Sequence, residues 1–511
     1  MAIANIIATI DQNAQSFPKR ICYEDQGQTY SYETLKTTSD RVAAFLQAQD
    51  LPKGSPVVIY GGQTFAVIAT FLGAVKAGHA YIPVDTHSPK ERLIQINDVA
   101  HPGAVLEVES LPVTLKGTEV ISAATLKAVR EDTTGPTAYD ASVSVAGDDN
   151  FYIIFTSGTT GVPKGVQISH ANLLSYVNWT LSDFDLYPGI RALSQAPYSF
   201  DLSVMDLYPT LALGGTLVAL PKEITDNFKD LFAALPELKV NEWVSTPSFV
   251  EICLLEPSFA QAKYPDLTRF LFCGEELTQK TARELLKRFP DAEIYNTYGP
   301  TEATVAVTSV QITQETVDQY NRLPIGQAKP DTLIYAVDEH DQKVANNVNG
   351  ELIIAGPSVS KGYLNNPEKT AKAFFTLDGQ QAYRSGDLGF IDDQGMIFYR
   401  GRTDFQIKMH GYRIELEDVD QNLLQVSYVK QASTVPRYNN LHKVTQLVAY
   451  VVPNKNDFES DIKLTQAIKA ELSQNVMEYM VPQRIIFQDS LPLTANGKVD
   501  RKTLIAEVNN S

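Results

Sequence analysis

SPVVIY (55–60), FAVIATFLGAVKAG (65–78) and HAYIPVD (79–85) follow one another with a four-residue break after the first. The outer two runs are rich in β-branched and aromatic residues, and the middle one has helical length and spacing. A strand, a helix and a second strand in so short a stretch predict two parallel strands joined by a helical crossover. The pattern returns at RFLFCGEEL (269–277), TQKTARELLKRF (278–289) and AEIYNTYG (292–299). FYIIFTS (151–157) reads as a buried strand feeding a glycine-rich loop, and His170 to Phe184 as an amphipathic helix.

The texture changes after about residue 330. Short strands dominate there, separated by turn residues such as Asp392-Asp393-Gln394-Gly395. From about residue 415 a smaller α+β piece follows, with helices at ELEDVDQNLLQ (415–425) and DIKLTQAIKAELSQNV (461–476) and a strand at QLVAYVVP (446–453). The expected class is α/β, with a large N-terminal domain of parallel-rich sheets and helices carrying a β-rich subdomain, then a small α+β domain. The boundary falls near Arg400–Asp404, giving domains 1–400 and 401–511.

A chain of 511 residues is too long for one core, which agrees with that division. Its net charge of -17 excludes nucleic acid or an anionic membrane as a partner of the overall field. Cys22, Cys253 and Cys273 are far apart and form no C-x-x-C pair, against a zinc site or a disulfide framework. The N-terminus lacks a basic region and Asp11 breaks its apolar run, so it makes a poor signal peptide. The longest apolar run, Phe65 to Val75, is too short to cross a bilayer. A cytoplasmic protein is the expectation.

The strongest motif is FTSGTTGVPKG (155–165). Thr156, Ser157, Thr159 and Thr160 supply hydroxyls, Gly158 and Gly161 let backbone N–H groups approach closely, and Lys164 adds a positive charge. That set suits phosphate oxygens. It is neither a Walker A loop, because Pro163 precedes Lys164 and Gly165 follows it, nor G-x-G-x-x-G. A plain surface loop is the bland alternative.

This loop resembles the phosphate-binding signature of the adenylate-forming superfamily, which includes acyl-CoA synthetases, luciferases and adenylation domains of non-ribosomal peptide synthetases. KAGHAYIPVD (76–85), SFDLS (199–203), NTYGPTEATV (296–305), GELIIAGPSVSKGYLNNP (350–367), YRSGDLG (383–389), GRTDFQIKMHGYRIELEDVD (401–420) and LPLTANGKVDR (491–501) are similar to its other motifs, in order. SFDLSVMDLYPTLALGGTL and FCGEEL are similar to the D-alanine–D-alanyl carrier protein ligases within it.

The resemblance implies roles. Asn296, Thr297, Tyr298, Gly299, Pro300 and Thr301 would line the nucleotide, Tyr298 facing adenine, and Glu302 would help hold Mg²⁺. One carboxylate with phosphate oxygens suits that ion. Asp387 would take the ribose hydroxyls, with an Asx turn as its alternative. Tyr399, Arg400, Gly401 and Arg402 would flank the nucleotide, and Asp404 would be the hinge of a mobile lid. Asp201 sits among Tyr198, Phe200, Leu202 and Met205, so it needs a partner. The family offers the α-ammonium of an amino acid, and a helix N-cap is the alternative. Cys273 and Val305 would line the same pocket, Cys273 as a small apolar wall. Lys498 would be the catalytic lysine, set against the substrate carboxylate and α-phosphate.

The implied reaction has two halves. ATP and D-alanine give D-alanyl-adenylate and pyrophosphate; a phosphopantetheine thiol on a D-alanyl carrier protein then displaces AMP. The chain ends soon after Lys498 with no carrier segment, so the carrier is expected to be a separate, acidic molecule. No acidic residue stands between Asp420 and Asp457, where Lys430, Arg437, His442, Lys443 and Lys455 offer a face to steer it, unless that face is simply solvated. The implied role is D-alanylation of lipoteichoic acid. Rival readings are a stand-alone amino-acid adenylating enzyme for peptide synthesis, an acyl-CoA ligase, or a non-catalytic scaffold on the same fold. Asp201 speaks against a fatty-acid substrate, and the intact set of Lys164, Glu302, Asp387 and Lys498 against a scaffold.

Overall fold

In the computed structural model, which describes residues 2–158, 162–439, 443–493 and 499–510, the opening segment folds as its pattern dictates. Val57–Tyr60 pairs in parallel with Tyr81–Val84, Val57 opposite Tyr81, and the helix Phe65–Lys76 joins them. Both strands are buried along their whole length, which is why neither alternates polar and apolar residues. They lie inside a six-stranded sheet ordered Glu119–Ile121, Ala104–Glu107, Val57–Tyr60, Tyr81–Val84, Asn150–Thr156, Lys164–Ser169.

The second strand–helix–strand unit belongs to a nine-stranded sheet. Arg269–Phe272 and Glu293–Tyr298 are parallel neighbours, joined by the helix Gln279–Arg288. Glu242–Ser245 flanks Arg269–Phe272 in parallel, and Thr308–Gln311 runs antiparallel beyond Glu293–Tyr298. The chain after residue 330 forms a five-stranded antiparallel sheet around the long strand Gln380–Ile391, which pairs with Gly350–Ala355, Phe374–Leu377 and Ile397–Arg402.

Two compact units result. The larger comprises 1–86, 100–154 and 165–403. The second begins at Asp404 and also contains His87–Val99 and Phe155–Lys164, the latter being the glycine-rich loop. Its C-terminal part holds the hairpin Gln406–Met409/Tyr412–Glu415, the helix Leu416–Gln425 and the sheet Val429–Tyr438, Val444–Pro453, Arg484–Phe487, with the helix Asp461–Leu472 packed into a separate apolar core. Among the described residues no helix is long and apolar enough to cross a membrane.

Candidate active site

In the large unit the nucleotide motifs converge through a β-bulge. Asp387 pairs with Arg402 and Leu388 with Gly401, but Gly389 pairs with Tyr399, so Arg400 is the extra residue. Side chains alternate faces along a strand, and one extra residue shifts that alternation. Tyr399 and Arg402, three apart, thereby share the face of Asp387. Gly401 absorbs the bulge at φ +118°, a conformation closed to L side chains. Arg400 instead is exposed, its guanidinium over the Phe390 ring at 5.0 Å.

Asp387 is buried, and both its oxygens are engaged. Arg402 Nη1 donates to Oδ1 at 2.7 Å and the Tyr298 hydroxyl to Oδ2 at 2.5 Å. Each oxygen keeps a second lone pair for another donor. Tyr298 and Tyr399 have ring centroids 6.4 Å apart, and Arg322, paired with Glu276 at 2.6 Å, lies over Tyr399 at 5.2 Å. Burial, then the Asp387 charge, pushes the Tyr298 phenol well above its ordinary range, so it stays a donor. Beneath this group Asn296 donates to the Pro324 carbonyl at 2.8 Å and Thr297 to that of Phe272 at 2.8 Å. These two buried side chains hold the backbone of the Asn296–Thr301 turn. Gly299, Pro300 and Thr301 lead directly into the one-turn helix Thr301–Ala303.

Glu302 on that turn is fully buried and accepts the Tyr363 hydroxyl at 2.8 Å. A single buried carboxylate is the kind of oxygen donor that fits Mg²⁺ shared with phosphate oxygens. The backbone then turns left-handed at Thr304 and Val305, φ +59° and +68°. Thr304 Oγ1 anchors the bend on the Ser358 carbonyl at 2.7 Å, and Cys273 Sγ lies 3.7 Å from the Val305 carbonyl oxygen. The two expected pocket walls therefore meet.

Asp201 is buried at the start of the helix Ser203–Ala212, whose N-cap is Leu202 with no side-chain cap bond. The capping alternative is not what the structure shows. Around it stand phenols: Tyr152 and Tyr176 are buried, and among the described residues their hydroxyls have no hydrogen-bond partner. Burial raises both far above the phenol range; Asp201 adds to this at Tyr152, and Cys273, Tyr152 and Asp201 at Tyr176. Tyr176 thus senses Asp201 and Cys273 together. No local pattern singles out Tyr152, Tyr176 or Tyr363.

The loop lies in the second unit. Any Cβ at Gly158 would meet the Val162 carbonyl oxygen at 2.2 Å, so only glycine fits there. Ser157 Oγ donates to the Arg413 carbonyl at 3.0 Å, Arg92 Nη2 to that of Phe155 at 3.1 Å, and Lys164 Nζ lies 3.6 Å from Glu415. Thr156 ends the strand Asn150–Thr156, and its Oγ1 is buried without a partner among the described residues. Asp404 Oδ1 caps the N–H of Gln406 at 3.1 Å where the second unit begins. Thr159, Thr160, Gly161 and Lys498 lie outside the described residues.

Comparison with known proteins bears on the chain as a whole. The AMP-binding enzyme family matches residues 10–364 and the AMP-binding enzyme C-terminal domain residues 418–498. A Lacticaseibacillus paracasei protein named D-alanine--D-alanyl carrier protein ligase is 65% identical over 508 residues, 99% of this chain and 100% of that one. A Streptococcus pyogenes protein of the same name is 52% identical over 99% of this chain and 100% of its own. In structure the chain is similar to a Vibrio cholerae adenylation domain in complex with glycyl-adenosine-5'-phosphate, with TM-score 0.81 and 22% identity over 100% and 99% of the two chains. With both family regions matched and likeness running from end to end, the chain belongs to the AMP-binding enzyme family.

Proposed function

We propose that this chain is an ATP-dependent D-alanine–D-alanyl carrier protein ligase. The carrying observation is likeness along 99% of the chain at 65% identity to a ligase of that name. The chemistry of the residues supports it: a buried carboxylate, Asp201, suits an ammonium, and Cys273 lies beside the Val305 carbonyl as the two expected apolar walls.

The chain's own groups then have these tasks. Asp201 holds the substrate ammonium and so orients the substrate carboxylate for attack. That carboxylate is already ionised at neutral pH and attacks the α-phosphate without a base. Ser157, Gly158, Thr159, Thr160, Gly161 and Lys164 donate to the departing phosphates. Asp387 takes the ribose hydroxyls on its remaining lone pairs, and Tyr298 and Tyr399 bracket adenine. Glu302 would hold Mg²⁺, which supplies charge neutralisation on the phosphates. Lys498 sets a positive charge where charge builds between carboxylate and α-phosphate. In the second half-reaction a carrier thiol attacks the mixed anhydride; the thioester C–S bond forms and AMP leaves. Asp404 is the hinge for the intervening rearrangement. The acceptor is a separate, acidic, phosphopantetheinylated carrier, the setting cytoplasmic, and the product serves lipoteichoic acid D-alanylation.

ATP–pyrophosphate exchange without carrier tests the reading, using D-alanine, L-alanine, glycine, D-serine and a short fatty acid. D-alanine should be preferred, Asp201→Ala should abolish exchange, and Lys498→Ala should slow it about 100–1,000-fold. Exchange with the fatty acid alone would move the chain to acyl-CoA ligation. For carrier docking, reversing charge at Arg437 and Lys443 should raise the KM for carrier several-fold with exchange unchanged. An unaltered KM removes that face from docking.

A further inference from the structure

The glycine-rich loop offers three kinds of donor suited to phosphate: the Ser157 hydroxyl, the Gly158 N–H and the Lys164 ammonium. In the second unit each is met by an oxygen from one short stretch of the C-terminal segment. Ser157 Oγ donates to the Arg413 carbonyl at 3.0 Å. The Gly158 N–H pulls electrostatically on the Asp418 carboxylate, favouring its charged form. Lys164 Nζ lies 3.6 Å from Glu415 Oε1, which is equally 3.6 Å from Arg413 Nη2. Lys164, Glu415 and Asp418 are all buried, so these are not solvated surface pairs. Arg413, Glu415 and Asp418 straddle the end of the strand Tyr412–Glu415 and the first turn of the helix Leu416–Gln425, which fixes their spacing.

We propose that residues 413–418 are an internal phosphate surrogate, holding the loop's donors when nucleotide phosphates do not. Pyrophosphate departure hands Ser157, Gly158 and Lys164 over to the surrogate, and the loop is fastened to the C-terminal segment for thiol transfer. The proposal rests on reading those three residues as phosphate donors. A separation of 3.6 Å is beyond hydrogen-bond length, so the Lys164–Glu415 contact is one that a more highly charged triphosphate displaces. Glu415 is a positioning residue here, acting through Lys164 and touching no reacting atom.

The two half-reactions separate the possibilities. Exchange gives the KM for ATP; single-turnover transfer from preformed D-alanyl-adenylate to phosphopantetheinylated carrier gives the second step. Glu415→Gln removes the competing charge, so ATP KM should fall two- to fivefold while transfer slows at least fivefold. Lys164→Gln should raise ATP KM at least tenfold and slow transfer to the same extent. The double variant should transfer no more slowly than either single one, because both break the same contact. Wild-type transfer by Glu415→Gln overturns the proposal, as do losses that multiply in the double variant. An unchanged ATP KM in Lys164→Gln removes the phosphate role of the loop and the hand-over with it, whatever transfer does. Should Glu415→Gln fail to fold, Lys164→Gln decides alone: slowed transfer supports the surrogate, and a wild-type transfer rate overturns it.

Discussion

In the large unit Asp387 holds Arg402 at 2.7 Å and Tyr298 at 2.5 Å; in the second unit Glu415 stands 3.6 Å from both Lys164 and Arg413. Both are buried carboxylates beside cations. The first is closed on its partners at hydrogen-bond length and gains from geometry that does not change during a reaction. The second is loose, and its partner is the residue read as a phosphate ligand. A fixed pair suits the proposed role of Asp387, to wait in position for a ribose. A loose pair suits one that must change partners.

That contrast can be broken at its strong side first. Asp387→Ala takes the carboxylate from the buried Arg402 guanidinium, which should cost about 3–5 kcal/mol in urea unfolding. A loss below about 1 kcal/mol would mean the pair is not closed after all, and the two regions would cease to differ.

The second unit can be probed by pH. Burial pushes the Asp418 carboxyl up from 3.8 to about 6 against the opposing pull of Arg92. The folded chain therefore holds this proton more tightly than the unfolded one. The stability it brings is full below about pH 4 and is lost as pH rises through 6, on the order of 3 kcal/mol. Asp418→Asn should flatten that slope in melts across pH 4–7, and Asp420, also pushed up to about 6 by burial, should keep its own share. An unchanged slope would show that Asp418 is solvated.

The smallest effect sharpens the strong side. Tyr363→Phe removes the hydroxyl from Glu302 and should cost about 2 kcal/mol of stability. If the Mg²⁺ role of Glu302 is right, the Mg²⁺ dependence of pyrophosphate exchange should shift as well. A stability loss with no such shift would make the pair purely structural.

Local elements were legible because their signals are local. The buried strands Val57–Tyr60 and Tyr81–Val84 and the helix Gln279–Arg288 follow from composition and spacing alone. The motif resemblance led to Asp387, Tyr298, Tyr399 and Arg402, which the structure gathers into one cluster. It did not separate Arg400 from them, because the bulge that turns that side chain onto Phe390 depends on the register of a paired strand. Tyr363 meets Glu302 across 61 positions, and Arg92 meets Phe155 across 63; no spacing rule reaches so far. The change of texture along the chain is a local signal, but no local signal marks His87–Val99 and Phe155–Lys164 as part of the second unit. Those segments carry nothing in composition that marks them as belonging there.

Val305 bears on how this enzyme would respond to engineering. A β-branched residue at φ +68° stores on the order of 1–3 kcal/mol of backbone strain. Replacing it with glycine would release that strain but would also remove a buried isopropyl group from the core, which costs more, on the order of 2–5 kcal/mol. Packing, and not backbone preference, therefore holds the left-handed turn at this position. A screen that rewards heat resistance alone would keep the valine in spite of its strained backbone.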